Sequence, residues 1–296
     1  MTVKIQKFNG LFASFLSPGI LFLTLPFLTL SLMASLLASS TSFASPTQPM
    51  ADSIGQNLFL IGGGERPPVL LKKFVEHSGG TQARILVVTW ATETPAESFA
   101  EISKDLKPYS PQKIVEVVRD PSTPESHREW LEQLQNCTGL YFTGGDQNRI
   151  MERLTAADID LLKVRYEQGL SVAGTSAGTA VISPLMLTGR MEGPDPELRA
   201  GLGLLPLSIL DTHFLVRSRE ERLIRAVLDN PDHIGIGVDE DNGIWVRDDR
   251  FVQPYGSSHL SLFRWNSAYK SIENIEVREG EIFDLSTAPS SVHGLR

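Results

Sequence analysis

Short apolar runs alternate with segments of helical spacing from Gln56 to about Ser176. Runs such as NLFLI, RILVV and GLYF predict buried strands. Each is followed by a segment whose apolar residues recur every three or four positions, and Pro95 and Ser122 or Thr123 are typical of helix starts. Strands rich in Val, Ile and Leu that alternate with helices favour a parallel sheet covered on both faces. The pattern therefore predicts a doubly wound, mostly parallel α/β sheet with helices on both faces.

The pattern changes near the end of the chain. The segment HIGIGVDEDNGIWVRDDRFVQPYG contains short apolar runs separated by Asp, Asn and Gly. Such spacing is typical of antiparallel strands joined by tight turns. We therefore expect a small antiparallel C-terminal extension of the sheet.

The first 44 residues differ from the rest. Two lysines precede a long uncharged apolar segment (Leu11 to Ala38), and the small residues Ser42 and Ala44 follow it. This order is typical of a secretory signal peptide cleaved after Ala44, and it predicts a periplasmic or secreted protein. Because the apolar segment is long and holds two prolines, an uncleaved membrane anchor is the alternative.

Composition and charge narrow the class of protein. The 296 residues are 41% hydrophobic and 21% charged, as in an ordinary globular protein. The net charge of −8 opposes a nucleic-acid partner. A single cysteine, Cys137, excludes an internal disulfide and a Cys-rich metal site. The predicted organisation is a leader over 1–44, a proline-containing linker over 45–55 and a folded domain over 56–296.

Glycine-marked segments follow three predicted strands, where open α/β sheets bind ligands. Residues 174–178 read Gly-Thr-Ser-Ala-Gly between a predicted strand and a predicted helix. This G-x-S-x-G pattern indicates a sharp turn that exposes Ser176 as a nucleophile; a close-packed turn is the alternative. Gly62-Gly63-Gly64 lacks the spacing of a dinucleotide-binding fingerprint, so turn glycines explain it equally well. Gly144-Gly145 is the third such segment.

A nucleophilic serine needs a base and an acid that orients the base. His213 follows an apolar run, as expected for a strand end, whereas His259 is a weaker candidate. Asp239, Glu240 and Asp241 follow another apolar run; an acidic turn is the alternative interpretation. The order serine, histidine, acid differs from that of the α/β-hydrolases, whose acid lies between the other two.

Three arginines follow His213. If Arg217, Arg219 and Arg222 lie on one helix, they spread over about half its circumference. They then form either a solvated face paired with neighbouring glutamates or a clamp for a substrate carboxylate.

Four segments, YFTGGDQNRI, AGTSAGTAVIS, DTHFLVRSREERL and GIGVDEDNG, resemble the cyanophycinases. That family is related to the aspartyl dipeptidases and has a class I glutamine amidotransferase-like sheet. The segments occur in the same order between Leu58 and Asn242. The resemblance implies a serine exopeptidase that cuts α- or β-aspartyl bonds, in cyanophycin or in other aspartyl peptides, without a metal or other cofactor.

The resemblance also implies roles for individual residues. Ser176 would be the nucleophile, His213 the base and Glu240 its acid partner. The amides of Gly145 and Ala177 would stabilise the oxyanion. The implied substrate-pocket residues are Gln147, Asp211, Arg217, Arg219 and Arg222.

Two positions depart from the family pattern. Thr212 stands where cyanophycinases typically have Gln, and the lost carboxamide bears on selection of a β-Asp-Arg unit. Thr179 stands where the family usually has Ala.

The sequence therefore predicts an exported serine exopeptidase with a peptide substrate and no nucleic-acid partner. Membrane contact is expected only through an uncleaved leader, and a homodimer is among the allowed states. Two alternatives stay open. One is an esterase-like α/β-hydrolase that uses a later histidine such as His259. The other is a binding protein that has lost catalysis, which Thr212 favours.

Overall fold

The computed structural model describes residues 55–287. The strands are β1 (Asn57–Ile61), β2 (Arg84–Val88), β3 (Lys113–Glu116), β4 (Gly139–Phe142), β5 (Ser171–Thr175), β6 (Leu185–Glu192), β7 (Asp195–Ala200), β8 (Ser208–Thr212), β9 (Ile234–Val238), β10 (Gly243–Arg247), β11 (Phe251–Tyr255), β12 (Leu260–Asn266), β13 (Ser271–Val277) and β14 (Phe283–Asp284). The helices are α1 (Pro68–His77), α2 (Pro95–Leu106), α3 (Pro124–Asn136), α4 (Gln147–Met151), α5 (Ala156–Glu167), α6 (Ala177–Ala180) and α7 (Glu220–Asp229).

The predicted leader over 1–44 and residues 45–54 of the predicted linker lie outside the described residues. Within the described range, no helix combines the length and the apolar character that crossing a membrane requires.

An eight-stranded sheet lies at the centre, in the order β14-β11-β10-β1-β5-β4-β2-β3. Strands β1 to β5 are parallel, and β10, β11 and β14 add antiparallel pairs beyond β1. The predicted parallel α/β sheet and its antiparallel C-terminal extension are thus confirmed. The extension is divided, because β9, the first strand of the predicted segment, lies with β12 and β13 in a second sheet of order β13-β12-β9-β8. There β9 pairs in parallel with β8, which differs from the prediction, and antiparallel with β12. The hairpin β6–β7 was not predicted.

Helices cover both faces of the large sheet, as the near-continuous apolar strands predict. Successive residues of a strand point to opposite faces. Leu60 therefore packs in one core with Trp130 of α3, and Ile61 packs in the other core with Phe74 of α1.

Two parallel strand pairs bring distant segments to one place. In the large sheet the last residue of β1, Ile61, pairs with Thr175, the last residue of β5. In the second sheet Thr212 at the end of β8 pairs with Val238 at the end of β9. The residues that follow each pair emerge at the same edge of their sheet, where α/β proteins place their ligand sites.

Candidate active site

Ser176 occupies a strained turn between β5 and α6. Its φ of 53° and ψ of −111° lie in a region that non-glycine residues rarely adopt. The flanking residues must be glycines, because other backbone atoms occupy the space that a side chain would need. A Cβ on Gly174 would lie 2.2 Å from the Gly178 carbonyl oxygen, and one on Gly178 would lie 2.1 Å from that of Phe142. The turn presents the Ser176 hydroxyl at the carboxyl edge of the sheet.

A continuous chain of hydrogen bonds joins Ser176, His213 and Glu240. Ser176 Oγ lies 2.7 Å from His213 Nε2, and His213 Nδ1 lies 2.5 Å from Glu240 Oε1. The imidazole is mostly buried, with 13% of its side chain exposed. The structure therefore brings together the three side chains for which the sequence predicts a nucleophile, a base and an orienting acid.

Three consecutive carbonyl groups fix the backbone positions of this chain. We call residues 61–63, at the end of β1, the carbonyl triplet. The amides of Ser176, His213 and Asp241 each donate at 2.9 Å, respectively to the carbonyls of Ile61, Gly62 and Gly63. Because Asp241 directly follows Glu240, the triplet sets the spacing of all three segments of the site.

The glycines after β1 let the other segments approach the triplet. A Cβ on Gly62 would lie 2.1 Å from the Asp239 carbonyl oxygen, and one on Gly63 would lie 2.2 Å from His213 Cε1. Gly63 also has a φ of +134°. The sequence interpretation of 62–64 as plain turn glycines missed this close packing against the imidazole.

The three adjacent acidic residues have different partners. Only Glu240 contacts the imidazole. Asp239 Oδ1 accepts the amides of Leu215 and Val216, both at 3.0 Å. Asp241 Oδ1 accepts the amide of Glu65 at 2.6 Å. The carboxylates of Asp239 and Asp241 thus hold loops beside the site. Both interpretations of this segment apply, since it is an acidic turn and it also contains the acid that contacts the imidazole.

A cavity of about 320 Å³ opens beside Ser176 and His213. Its walls come from residues 145–148 after β4, residues 187–190 of β6 and the end of β8. Gln147 Nε2 donates to the Leu187 carbonyl at 2.7 Å, which ties the hairpin to the loop after β4. The amides of Gly145 and Ala177 donate none of the hydrogen bonds found within residues 55–287. Of the two residues, Gly145 lines the cavity, whereas Ala177 is buried directly after Ser176 and is not part of the lining.

The three arginines that follow His213 do not all lie on one helix. Helix α7 begins at Glu220, so Arg217 and Arg219 lie in the preceding turn and only Arg222 lies on the helix. Because the turn folds back, all three line the cavity. On a single helix the three side chains would have spread over about half of the helix surface, and one of them would have pointed away from the cavity.

A buried carboxylate holds two of these arginines. Asp211, with 1% of its side chain exposed, accepts from Arg222 Nε at 2.7 Å and from Arg222 Nη2, and Arg219 Nη1 lies 3.5 Å away. Arg219 Nη1 also donates to the Thr212 carbonyl at 2.7 Å. Burial and the neighbouring Arg222 lower the pKa of Arg219, and Asp211 opposes that shift. Asp211, Arg219 and Arg222 thus form a fixed wall of the cavity.

The two other cavity arginines are not held by an ion pair. Arg217 and Arg190 form no ion pair or side-chain hydrogen bond with any residue of the described range. Arg190 lies on β6, in the hairpin that the sequence did not predict, so sequence reasoning missed it. The charge of Arg190 helps to lower the pKa of the Glu197 carboxyl, so Arg217 is the less compensated positive charge of the two.

The model of peptidase family S51 matches residues 58–253. The chain belongs to peptidase family S51. It is therefore a serine-type peptidase, as the sequence resemblance implied.

Curated relatives of this S51 peptidase include two cyanophycinases. That of Geminocystis herdmanii is 30% identical over 231 residues, which cover 72% of this chain and 82% of the relative. That of Synechococcus elongatus is 31% identical over 251 residues, which cover 80% of this chain and 74% of the relative.

Solved structures share the fold of this S51 peptidase. A peptidase from an acI-B1 Actinobacterium matches with a TM-score of 0.61 and 18% identity, over 78% of this chain and 97% of that one. A putative peptidase E protein from Listeria monocytogenes EGD-e matches with a TM-score of 0.51 and 18% identity, over 69% of this chain and 100% of that one.

The alternative base His259 and the single cysteine of the S51 peptidase lie away from the cavity. His259 Nε2 is 3.8 Å from Glu276 Oε1 and lies outside the cavity lining. Cys137 is buried, and burial raises the pKa of its thiol to about 12, so the thiol is an inert core group. Among the described residues, no group of three or more His, Cys, Asp or Glu side chains could hold a metal ion.

Gly63→Ala tests the packing of the carbonyl triplet against the imidazole. The new methyl group would displace the His213 ring, and a displacement of about 1 Å costs on the order of 10²-fold in rate. We expect such a loss in kcat with the fold retained by circular dichroism. Gly280→Ala is the matched control, because Gly280 also has a positive φ, 89°, but open space around it. A folded Gly63→Ala variant with normal kcat would show that the close approach is irrelevant to activity.

Proposed function

We propose that this S51 peptidase is an exported serine exopeptidase that hydrolyses aspartyl peptide bonds through Ser176, His213 and Glu240. The observation that carries the proposal is the hydrogen-bonded chain from Ser176 Oγ through the imidazole to Glu240. Nucleophile, base and orienting acid in hydrogen-bond contact are the requirement for acyl transfer by serine. The cyanophycinase names of its relatives support a peptide substrate of the cyanophycin type or another aspartyl peptide.

The first half of the reaction forms an ester with the enzyme. Ser176 Oγ attacks the carbonyl carbon of the scissile bond as its proton moves to His213 Nε2. Glu240 accepts the hydrogen bond from Nδ1–H, which holds the imidazole in the required tautomer and stabilises its positive charge. The imidazolium then donates its proton to the leaving nitrogen, and the carbon–nitrogen bond breaks.

The second half repeats these steps with water. His213 removes a proton from a water molecule whose oxygen attacks the ester carbon, and the proton returns to Ser176 Oγ as the acid product leaves. In both halves an oxyanion develops beside Ser176. The unused amides of Gly145 and Ala177 would donate to it, because preorganised donors stabilise the charge that forms in the transition state.

The unpaired arginines support a substrate that carries a carboxylate near the scissile bond. Arg217 and Arg190 line the cavity without an ion pair in the described range, although Glu197 is an electrostatic neighbour of Arg190. Arg219 and Arg222, in contrast, are held by Asp211. An arginine that binds the terminal carboxylate would limit cleavage to the end of a peptide, which would account for exopeptidase action.

Polar contacts around the aspartyl unit would come from Gln147 and Thr212, which also line the cavity. The short side chain of Thr212 reaches less far than the glutamine of typical cyanophycinases. The proposed substrates therefore include aspartyl peptides that lack the arginine attached to the aspartyl side chain in cyanophycin. Export to the periplasm or beyond is proposed from the character of residues 1–44 alone.

Ser176→Ala and His213→Ala should each abolish turnover, with losses of about 10⁴-fold or more, because the nucleophile and the base act as one unit. Mature protein is incubated with cyanophycin and with α- and β-aspartyl dipeptides, and products are identified by mass. His259→Ala is the control and should keep wild-type activity. Labelling of Ser176 by a fluorophosphonate is measured in parallel. Turnover by Ser176→Ala contradicts the mechanism. Loss of labelling only in His259→Ala supports an esterase-like site. Wild-type protein that is never labelled supports a binding protein.

Arg217→Gln should weaken selection for a free carboxylate. A charged hydrogen bond contributes roughly 1.5–3 kcal/mol, so we expect kcat/KM for a free-acid dipeptide to fall about 10- to 100-fold, chiefly through KM. The same dipeptide with a C-terminal amide should be cut equally by both proteins. Arg225→Gln is the matched control, since Arg225 is already paired with Glu221 and Asp195. Equal losses on the acid and the amide would refute a carboxylate contact, and Arg190→Gln tests the second arginine in the same way.

A further inference from the structure

Thr179, the position where the chain departs from the family's usual alanine, makes three contacts with the backbone beside Ser176. Its Oγ1 accepts the Ile61 amide at 3.0 Å. The hydroxyl lies 2.8 Å from the Ile61 carbonyl oxygen and 2.9 Å from that of Gly174, and its single proton serves both acceptors. The side chain is fully buried. The hydroxyl thus bridges the ends of β1 and β5 from within α6.

These contacts converge on an atom that the nucleophile also uses. The Ile61 carbonyl belongs to the carbonyl triplet and accepts the Ser176 amide at 2.9 Å. The amide of Thr179 donates to the Ser176 carbonyl at 2.9 Å. Ser176 is therefore connected to Ile61 in two ways. Its own amide bonds to the Ile61 carbonyl, and its carbonyl bonds to Thr179, whose side chain bonds to Ile61. Helix α6 has only four residues, so few internal hydrogen bonds oppose its movement.

We propose that Thr179 is a positioning residue for the nucleophile in this peptidase. Its hydroxyl fixes α6 to the carbonyl triplet, and this fixes the strained turn that aims Ser176 Oγ at His213 Nε2. The proposal rests on the proposed function, in which Ser176 is the nucleophile. The buried hydroxyl touches neither the cavity lining nor the imidazole, so its loss acts through the geometry of Ser176.

Three substitutions separate positioning from simple stabilisation. Thr179→Val keeps the shape and removes the hydroxyl, Thr179→Ser keeps the hydroxyl, and Thr179→Ala introduces the residue that the family usually carries. Ser208→Ala is the matched control. It removes a fully buried hydroxyl that donates to the Leu205 carbonyl at 2.7 Å, at the far end of β8 from His213.

The measurements are the rate of fluorophosphonate labelling of Ser176, kcat and KM for a cleaved aspartyl peptide, and the melting temperature. We expect Thr179→Val and Thr179→Ala to lower the labelling rate and kcat about 10-fold or more with KM nearly unchanged, as for a small misplacement of a reacting atom. Thr179→Ser should return both rates to within about threefold of the wild type, since the hydroxyl is restored.

Ser208→Ala should lower the melting temperature and label at the wild-type rate. Wild-type labelling by folded Thr179→Val or Thr179→Ala overturns the proposal, and if the valine variant does not fold, the alanine variant decides.

Hydrogen exchange gives a readout that does not depend on catalysis. The Ser176 amide should lose protection in Thr179→Val and Thr179→Ala but keep it in Ser208→Ala. Unchanged protection overturns the positioning role even in a protein that hydrolyses nothing. Absence of labelling and turnover in the wild type, with lost protection in the variants, instead refutes the proposed function and leaves the link from Thr179 to Ser176 supported.

Discussion

The site depends on the carbonyl triplet, residues 61–63, at the point where β1 leaves the sheet. Inside a sheet, backbone carbonyls bond to neighbouring strands, but at a strand end they need other partners. Here the amides of Ser176, His213 and Asp241 supply them. Three segments that are distant in sequence thus meet through backbone bonds, in addition to the side-chain bonds that join Ser176, His213 and Glu240. The side chains of Ser176, His213 and Glu240 are left free to bond to one another.

The second constraint is the junction of two sheets. Ser176 follows a strand of the large sheet, whereas His213 and Glu240 follow neighbouring parallel strands of the second sheet. Since strand side chains alternate between faces, a shift of one residue between β8 and β9 would turn one of the pair away from the other. The register of Thr212 opposite Val238 therefore matters to the site as much as the identity of its residues.

Charge in the cavity is opposite in sign to that of the whole chain. The protein carries a net charge of −8, yet four arginines line a cavity to which Asp146 and Asp211 contribute the only acidic side chains in the described lining. A cavity of one sign concentrates ligands of the other sign, and its low-dielectric walls strengthen the effect. Asp211 offsets part of this charge and orients two arginines, and Glu197 offsets part of the charge of Arg190. Arg217 therefore keeps the least compensated charge.

Much of this arrangement could be predicted from the sequence, because apolar runs end where sites in α/β sheets begin. Ser176, His213 and Glu240 each follow such a run, and the four-segment resemblance orders them. The hairpin β6–β7 could not be predicted, since Leu185–Glu192 changes from buried to exposed halfway along, without the regular alternation of a strand. Because Arg190 lies in this hairpin, its place in the cavity lining could not be predicted either. The role of Gly62 and Gly63 was hidden because their neighbours come from segments about 150 residues or more away, which no local pattern records.

The three amide donors to the carbonyl triplet share one further property, which links strain to reactivity. Ser176, His213 and Asp241 are non-glycine residues with φ values of 53°, 49° and 58°. Each such conformation costs on the order of 1–3 kcal/mol and persists only where the surroundings enforce it. The bonds to residues 61–63 contribute to that enforcement, because they fix one side of each residue while the following backbone is held by its own contacts. The Ser176 hydroxyl and the His213 imidazole are thus held at hydrogen-bond distance before a substrate arrives. Under the proposed mechanism this leaves less reorganisation for the reaction itself.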